Sequence, residues 1–295
     1  MFPPIEALMD NLRGIFLMVV AMVAFAVEDA LIKAGTSVMP TSQLILTVGV
    51  MGTGLLLLAC RAQGLRLLTL DLAHPAVIAR NVTDTVGVVF FVTALAVVPL
   101  TTLAALIQLT PLSITLCAAL LLGETVGWRR WSAVIAGFIG MLLIIRPGME
   151  SFNLATLLGV GAVACLTGRD LATRFVPKGL PNLQLTTYGF ATMIPAGLIL
   201  LPMGGAYITP TVGQWGHLAA IMVLALVGYY AVTAAMRVGE VSVVSPFRYT
   251  RLLLAMVLGV VFFNERPDLY TLSGAGLILA AGLYTLAREA RARQA

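Results

Sequence analysis

Charge is scarce in this chain. Of 295 residues only 11 % are Asp, Glu, Lys or Arg, against 60 % hydrophobic, and the mean hydropathy is +1.00. Water-soluble domains carry about 25 % charged residues, so a soluble globular fold is excluded. Histidine is limited to His74 and His217, and the three cysteines, Cys60, Cys117 and Cys165, have neither metal nor redox spacing. That removes a disulfide scaffold and a clustered metal site. No His-Glu-x-x-His, no Gly-x-Ser-Gly and no phosphate-binding loop occurs; an enzyme and an ATP-driven pump are both set aside. No cofactor and no metal are expected. Apolar runs such as Leu112 to Leu122 do not alternate, which argues against a membrane β-barrel.

What is present is a succession of long apolar runs. A hydrocarbon core about 30 Å thick needs roughly 20 residues per helical crossing. Ten such segments are read: Arg13 to Lys33, Ser42 to Cys60, Pro75 to Val97, Thr101 to Leu122, Trp131 to Ile145, Leu154 to Val176, Leu183 to Leu201, Trp215 to Met236, Ser242 to Phe263 and Leu269 to Ala287. The expected fold class is therefore all-α integral membrane, with ten transmembrane helices. Nothing like a cleavage site follows the first run, which reads as a retained helix and not as a signal peptide. Placing the N-terminus inside puts twelve basic residues on the cytoplasmic side, including Arg61, Arg66, Arg80, Arg129, Arg130, Arg174 and Lys178, and only Lys33, Arg146 and Arg266 on the other. By the positive-inside rule both termini are cytoplasmic. The net charge of +5 follows from that bias and calls for no nucleic-acid partner. Trp128, Trp131 and Trp215 fall at span ends, as interfacial anchors do.

The chain also repeats itself. An offset of 141 lays Asp29 on Asp170, Lys33 on Arg174, Pro40 on Pro181, Gln43 on Gln184, Leu44 on Leu185 and Glu124 on Glu265. Residues 1–148 and 149–295 are read as two repeats of five helices each. Five is odd, so the second repeat enters the membrane from the opposite side, which makes the repeats inverted. Inverted repeats recur in secondary transporters, where two similar halves exchange conformations around a midplane site.

The residues that end helices 1, 4 and 9 carry a resemblance. Asp29-Ala-Leu-Ile-Lys33, Thr110-Pro111 with Gly123-Glu124, and Pro246-Phe-Arg-Tyr-Thr-Arg251 with Asn264-Glu265-Arg266-Pro267 together resemble the drug/metabolite transporter superfamily, in its ten-helix EamA-type branch. The resemblance covers essentially the whole chain. It implies an inner-membrane carrier with a central cavity, in a family that includes exporters of amino acids and related metabolites and a riboflavin-uptake subgroup. One departure is Leu252 in the place of Pro111, so the two central helices are expected to bend differently.

A charge at the bilayer centre costs about 2.5–3.5 kcal/mol on insertion scales, which makes each intramembrane one a functional candidate. Asp29 with Lys33, Asp170 with Arg174, and Arg80 with Asp84 are spaced i,i+4, and are read as structural pairs on single helix faces. Glu28 and Arg169 occupy matched repeat positions with opposite charge; they hold the two ends of a zwitterion, or else pair with each other or with Asp170. Arg248 and Arg251 flank Tyr249 and take a carboxylate or phosphate, or else pair with Asp84, Glu28 or Asp29. Gln108, Tyr229, Tyr230 and Tyr249 complete the expected substrate lining. Glu28, Asp29 and Asp84 are the candidate proton carriers, and Glu124 and Glu265 either gate the two faces or order tight turns. The small-residue pairs Ala133/Gly137, Ala136/Gly140 and Gly276/Ala280 mark packing faces on the last helix of each repeat.

The expected function is transport by alternating access in a bacterial-type inner membrane, most simply export of an amino acid or related zwitterionic or carboxylate compound. Uptake of a planar nutrient such as riboflavin is the alternative, and export of multidrug cations a third. The partners are then the small-molecule substrate, protons if flux is coupled to them, and the bilayer, with the chain a monomer or weak dimer.

Overall fold

The computed structural model describes residues 5–65, 70–121, 127–147, 149, 153–177, 179–238 and 241–294, and every regular element among them is helical. The expectations on Arg66, Glu124 and Lys178 lie outside the described residues. In chain order the α-helices are α1 (Ile5–Gly35), α2 (Thr41–Ala62), α3 (Pro75–Val97), α4 (Leu100–Ile107), α5 (Thr110–Leu121), α6 (Trp128–Ile145), α7 (Thr156–Thr173), α8 (Asn182–Ala191), α9 (Met193–Leu200), α10 (Val212–Val238), α11 (Val241–Val244), α12 (Thr250–Phe263) and α13 (Leu269–Gln294). Seven segments are long and apolar enough to cross a bilayer, from Met9–Gly35 to Pro246–Phe263, and Trp131–Ile145 and Leu269–Thr285 are shorter apolar helices. The remaining expected segment, Leu154 to Val176, coincides with α7, whose 18 residues contain Arg169 and Asp170.

Proline decides where several helices begin. Pro40 and Pro181, which are repeat mates, immediately precede α2 and α8, and Pro99 precedes α4. Its fixed φ and missing N–H suit that position. At α3 the cap is His74, whose Nδ1 accepts from Ala76 N at 3.2 Å, with Pro75 at the first helical position.

Three expected single spans are interrupted. Between α4 and α5 the chain breaks at Gln108–Leu109. Pro111 cannot donate to the Ile107 carbonyl, and the Thr110 hydroxyl donates to that oxygen instead, at 2.7 Å. Between α11 and α12 the break is a 3-10 turn, Ser245–Tyr249, containing Pro246. The offset of 141 carries Gln108 onto Tyr249, so both central helices are interrupted at the matched place, the first by a two-residue break and the second by a five-residue turn. α8 and α9 meet at Thr192, three residues before Pro195.

The chain forms two compact units, each drawing on both repeats: residues 1–30, 99–152 and 224–295, and residues 31–98 and 153–223. In the first unit Met18, Ala21 and Met22 of α1 pack on Ala231 and Ala235 of α10, with Val244 of α11. α6 meets α13 where Gly140 and Gly274 face each other, so close that a Cβ on Gly140 would lie 2.7 Å from the Gly274 carbonyl oxygen. Gly137 receives the Leu112 side chain of α5 instead, and Gly276 faces open space. The sequence expectation of a packing face through Gly276 is corrected accordingly: the contact lies two residues earlier.

In the second unit α3 packs along α7, and α2 along α8 and α9. The α2 contact is reciprocal. Gly49 lies against Met193 and Gly52 against Phe190, and by the offset Gly49 is the mate of Phe190 and Gly52 of Met193. Residue i touching the mate of j, while j touches the mate of i, is the signature of a twofold interface. A near-equivalent pair occurs at Gly87 and Gly228, themselves repeat mates: Gly87 of α3 lies against Cys165 of α7, and Gly228 of α10 against Phe25 of α1, one residue from Ala24, the mate of Cys165.

Candidate substrate site

Most of the expected site residues fall in the first unit. Asp29, six residues before the end of α1 at Gly35, is only 4 % exposed. Arg251, in the first turn of α12, grips it with Nε 3.0 Å from Oδ2 and Nη2 2.8 and 2.7 Å from Oδ1 and Oδ2. Such a fork gives geometric specificity as well as charge. The guanidinium also lies over the Phe25 ring at 5.1 Å, and Phe25 meets the Tyr229 ring edge-on at 5.7 Å. A row therefore runs Tyr229, Phe25, Arg251, Asp29 (unit one throughout).

Glu28, next along α1, is 7 % exposed. Unlike Asp29 it has no hydrogen bond or ion pair within 4 Å among the described residues. Twofold bookkeeping explains why. Its mate Arg169 on α7 faces Asp84 on α3, with Nη1 3.3 Å from Oδ1. The residue that the offset makes equivalent to Asp84 is Ala225 on α10, fully buried and unable to neutralise anything.

The two helix breaks touch through Gln108, whose Nε2 donates to the Arg248 carbonyl at 3.3 Å. Breaks of this kind expose backbone polar groups where a membrane carrier needs them. The Arg248 side chain is exposed. Tyr249, between the two arginines, is 4 % exposed, its ring closes on Gly282 of α13, and its Oη has no hydrogen-bond partner among the described residues. Tyr229 is half-buried beside Phe25, whereas Tyr230 is 77 % exposed on the neighbouring face of α10.

The remaining expected residues lie in the second unit. Arg169 donates from Nε to Asp170 Oδ1 at 2.9 Å as well as reaching Asp84, whose other oxygen is 3.3 Å from the Thr192 hydroxyl. Lys33 donates to the carbonyls of Leu95 and Val98 at 3.1 and 2.6 Å, closing the end of α3. Arg174 is exposed just past α7. Arg80 gives Nη1 to Asn81 Oδ1 at 3.0 Å, with no carboxylate within 4 Å among the described residues. The expected Arg80–Asp84 pair is thus not made: Asp84 is engaged by Arg169 and Thr192 from neighbouring helices. Sequence reasoning missed Phe25 and Thr192. Phe25 sits i,i+4 from Asp29, a spacing that pointed to it, while Thr192 carries no local signal.

All-helical structure with seven spanning-length helices among the described residues, a repeat with a twofold contact pattern, and two interrupted central helices meeting at buried charge make the build of a multi-pass membrane transporter. The family described as the EamA-like transporter family matches it twice, over residues 12–146 and 153–287. The chain belongs to that family, within the drug/metabolite transporter superfamily. The two matched segments start 141 residues apart, which is the offset of the internal repeat. Among its relatives, the pseudopaline exporter CntI of Pseudomonas aeruginosa is 27 % identical over 91 % of this chain and 94 % of its own. A riboflavin transporter of Rhizobium johnstonii is 30 % identical over 72 % of this chain and 70 % of its own, and an S-adenosylmethionine uptake transporter of Rickettsia bellii is 28 % identical over 76 % and 77 %. A crystal structure 21 % identical in sequence shares the fold with a TM-score of 0.59, covering 95 % of this chain and 98 % of that one.

Proposed function

We propose that the protein is a secondary transporter of a small metabolite, working by alternating access in a bacterial-type inner membrane with both termini cytoplasmic, and that it exports an amino acid or related zwitterionic or carboxylate compound. The observation that carries this reading is Glu28: a carboxylate at 7 % exposure with no partner among the described residues, in a unit where Arg251 is already held by Asp29. An unneutralised carboxylate inside a span calls for a cation, and the ammonium of an amino acid supplies one. The carboxylate end then goes to Arg248, or to Arg251 in exchange for Asp29. Gln108 and Tyr249, at the two helix breaks, offer hydrogen bonds beside it.

Proton coupling, where it occurs, falls to Glu28 before Asp29 or Asp84, because the latter two are each ion-paired with an arginine. Substrate and proton then compete for one carboxylate, a simple basis for antiport.

Uptake of a planar nutrient is the second reading. It draws on the edge-on Phe25–Tyr229 pair and on the riboflavin relatives. The deciding experiment is a thermal-shift panel of amino acids, flavins and amphipathic cations on the purified carrier, followed by proteoliposome flux with and without a pH gradient. Stabilisation by amino acids supports the first reading; a response to flavins alone replaces it with the second, and to cations alone removes the arginines from the site.

A further inference from the structure

The second unit holds a buried cation that no acid among the described residues neutralises. Arg80, on the second turn of α3, is 7 % exposed. Its guanidinium points end-on at α8, with Nη1 and Nη2 toward Gly189, where a Cβ would come within 3.0 Å of Nη2 and 3.3 Å of Nη1. Of its five N–H groups one, on Nη1, goes to Asn81 Oδ1, and Nε is buried with no partner among the described residues. The two carboxylates nearby in the fold, Asp84 and Asp170, are both bridged by Arg169.

A guanidinium taken out of water without a counter-charge is expensive, and its remaining donors form a planar fork matched to a carboxylate or a phosphate. Ending on a glycine lets Nη1 and Nη2 approach the α8 backbone, and the Nε–Nη2 edge is the side left for a ligand. From this geometry we propose that Arg80, with Asn81 and Gly189, forms an anion-binding site in the second unit, taking a carboxylate or phosphate group. It is distinct from the Glu28 and Arg251 cluster and does not rest on the transport reading. The Asn81 side-chain oxygen is satisfied by Arg80, which orients its amide as a further donor to the anion.

Two sources share this chemistry, a free anion and an anionic lipid headgroup, and the test separates them. The full-length carrier is reconstituted in nanodiscs of phosphatidylcholine alone or with phosphatidylglycerol. Its Tm is measured with inorganic phosphate or glutamate against chloride at constant ionic strength. A rise of about 2–4 °C at roughly ten times Kd in phosphatidylcholine, absent in Arg80→Gln, establishes a site for free anions. An Arg80-dependent rise seen only with phosphatidylglycerol establishes a headgroup site. No Arg80-dependent rise in either arm overturns the proposal. If Arg80→Gln cannot be purified, Gly189→Ala, which crowds the guanidinium without removing charge, should lose the same response, and a wild-type response in that variant overturns it. Arg248→Gln serves as the control: it tests the transport site and should leave the Arg80-dependent shift intact.

Discussion

Glu265 closes the amino end of α4. Its Oε2 accepts from Thr101 N at 2.9 Å while Oε1 takes Leu100 N at 2.5 Å. Pro99 occupies the cap position and has no side-chain oxygen, so the first-turn amides need an acceptor from elsewhere. A carboxylate also suits the positive end of the helix dipole. Of the two sequence readings of Glu265, a gate or the ordering of a turn, this geometry supports the second. Asn264 at φ 52° and the Glu265 N to Gly259 O bond of 3.0 Å turn the chain back to bring the carboxylate there.

Glu265→Ala should therefore destabilise the carrier by about 1–3 kcal/mol, the range for a charge-assisted cap. Gly259→Ala should produce a similar loss, since its Cβ would meet the Glu265 carboxylate and the Thr101 methyl. The two should be less than additive in a double-mutant cycle of Tm values; full additivity would show that they act separately.

Removing Asp29 leaves Arg251 without its counter-ion. Asp29→Asn is expected to lower stability by about 3–5 kcal/mol, as breaking a buried pair does. The exchange Asp29→Arg with Arg251→Asp should recover part of it, and recovery is read as Tm and as the monodisperse fraction on gel filtration.

Glu28 lies beside Asp29 but should respond in the opposite sense. Having no partner to lose among the described residues, Glu28→Gln should keep or raise Tm while cutting proteoliposome flux by at least about tenfold, roughly 1.4 kcal/mol in the transport barrier. A variant that is both stable and fully active would dismiss Glu28 from the site.

Tyr249→Phe removes a buried hydroxyl that has no partner among the described residues. Leaving such a group unpaired costs about 1–3 kcal/mol, so Tm should rise. If Oη meets substrate in another state of the cycle, KM should rise as well; an unchanged KM confines Tyr249 to packing.

Asp268 offers a pH test outside the spans. Partial burial pushes its carboxyl up, but hydrogen bonds from Arg146 and from Thr271 outweigh this and hold it below the usual carboxylate range. A lowered folded value means the contribution is complete above the ordinary carboxylate pKa, about 3.9, and is lost as pH falls through the lower folded value. Wild-type Tm should drop more steeply than that of Asp268→Asn below about pH 4, by a modest amount because the pair is partly solvated.

The repeat and the helix openings were legible because they are written in local chemistry: Pro40 and Pro181 stand one residue before α2 and α8. Charge pairing was less so. The i,i+4 spacing named neighbours on one helix, yet Asp29 takes Arg251 from 222 positions away and Asp84 takes Arg169 from 85. Tertiary contact outcompetes the same-helix partner where a guanidinium from another helix arrives with better geometry. For Glu28 and Arg169 the sequence left a zwitterion site or direct pairing open; Arg169 pairs with Asp84 and Asp170, while Ala225 stands where Asp84 has its equivalent beside Glu28.

The reciprocal seating of Met193 on Gly49 and Phe190 on Gly52 carries a consequence for ancestry. Two copies of the first half would set glycine against glycine and leave a void; two copies of the second would set Phe190 against Met193 in the same space. The halves fit as lock and key along this seam, each glycine of the first receiving a large side chain of the second, so a substitution on one side calls for its complement on the other.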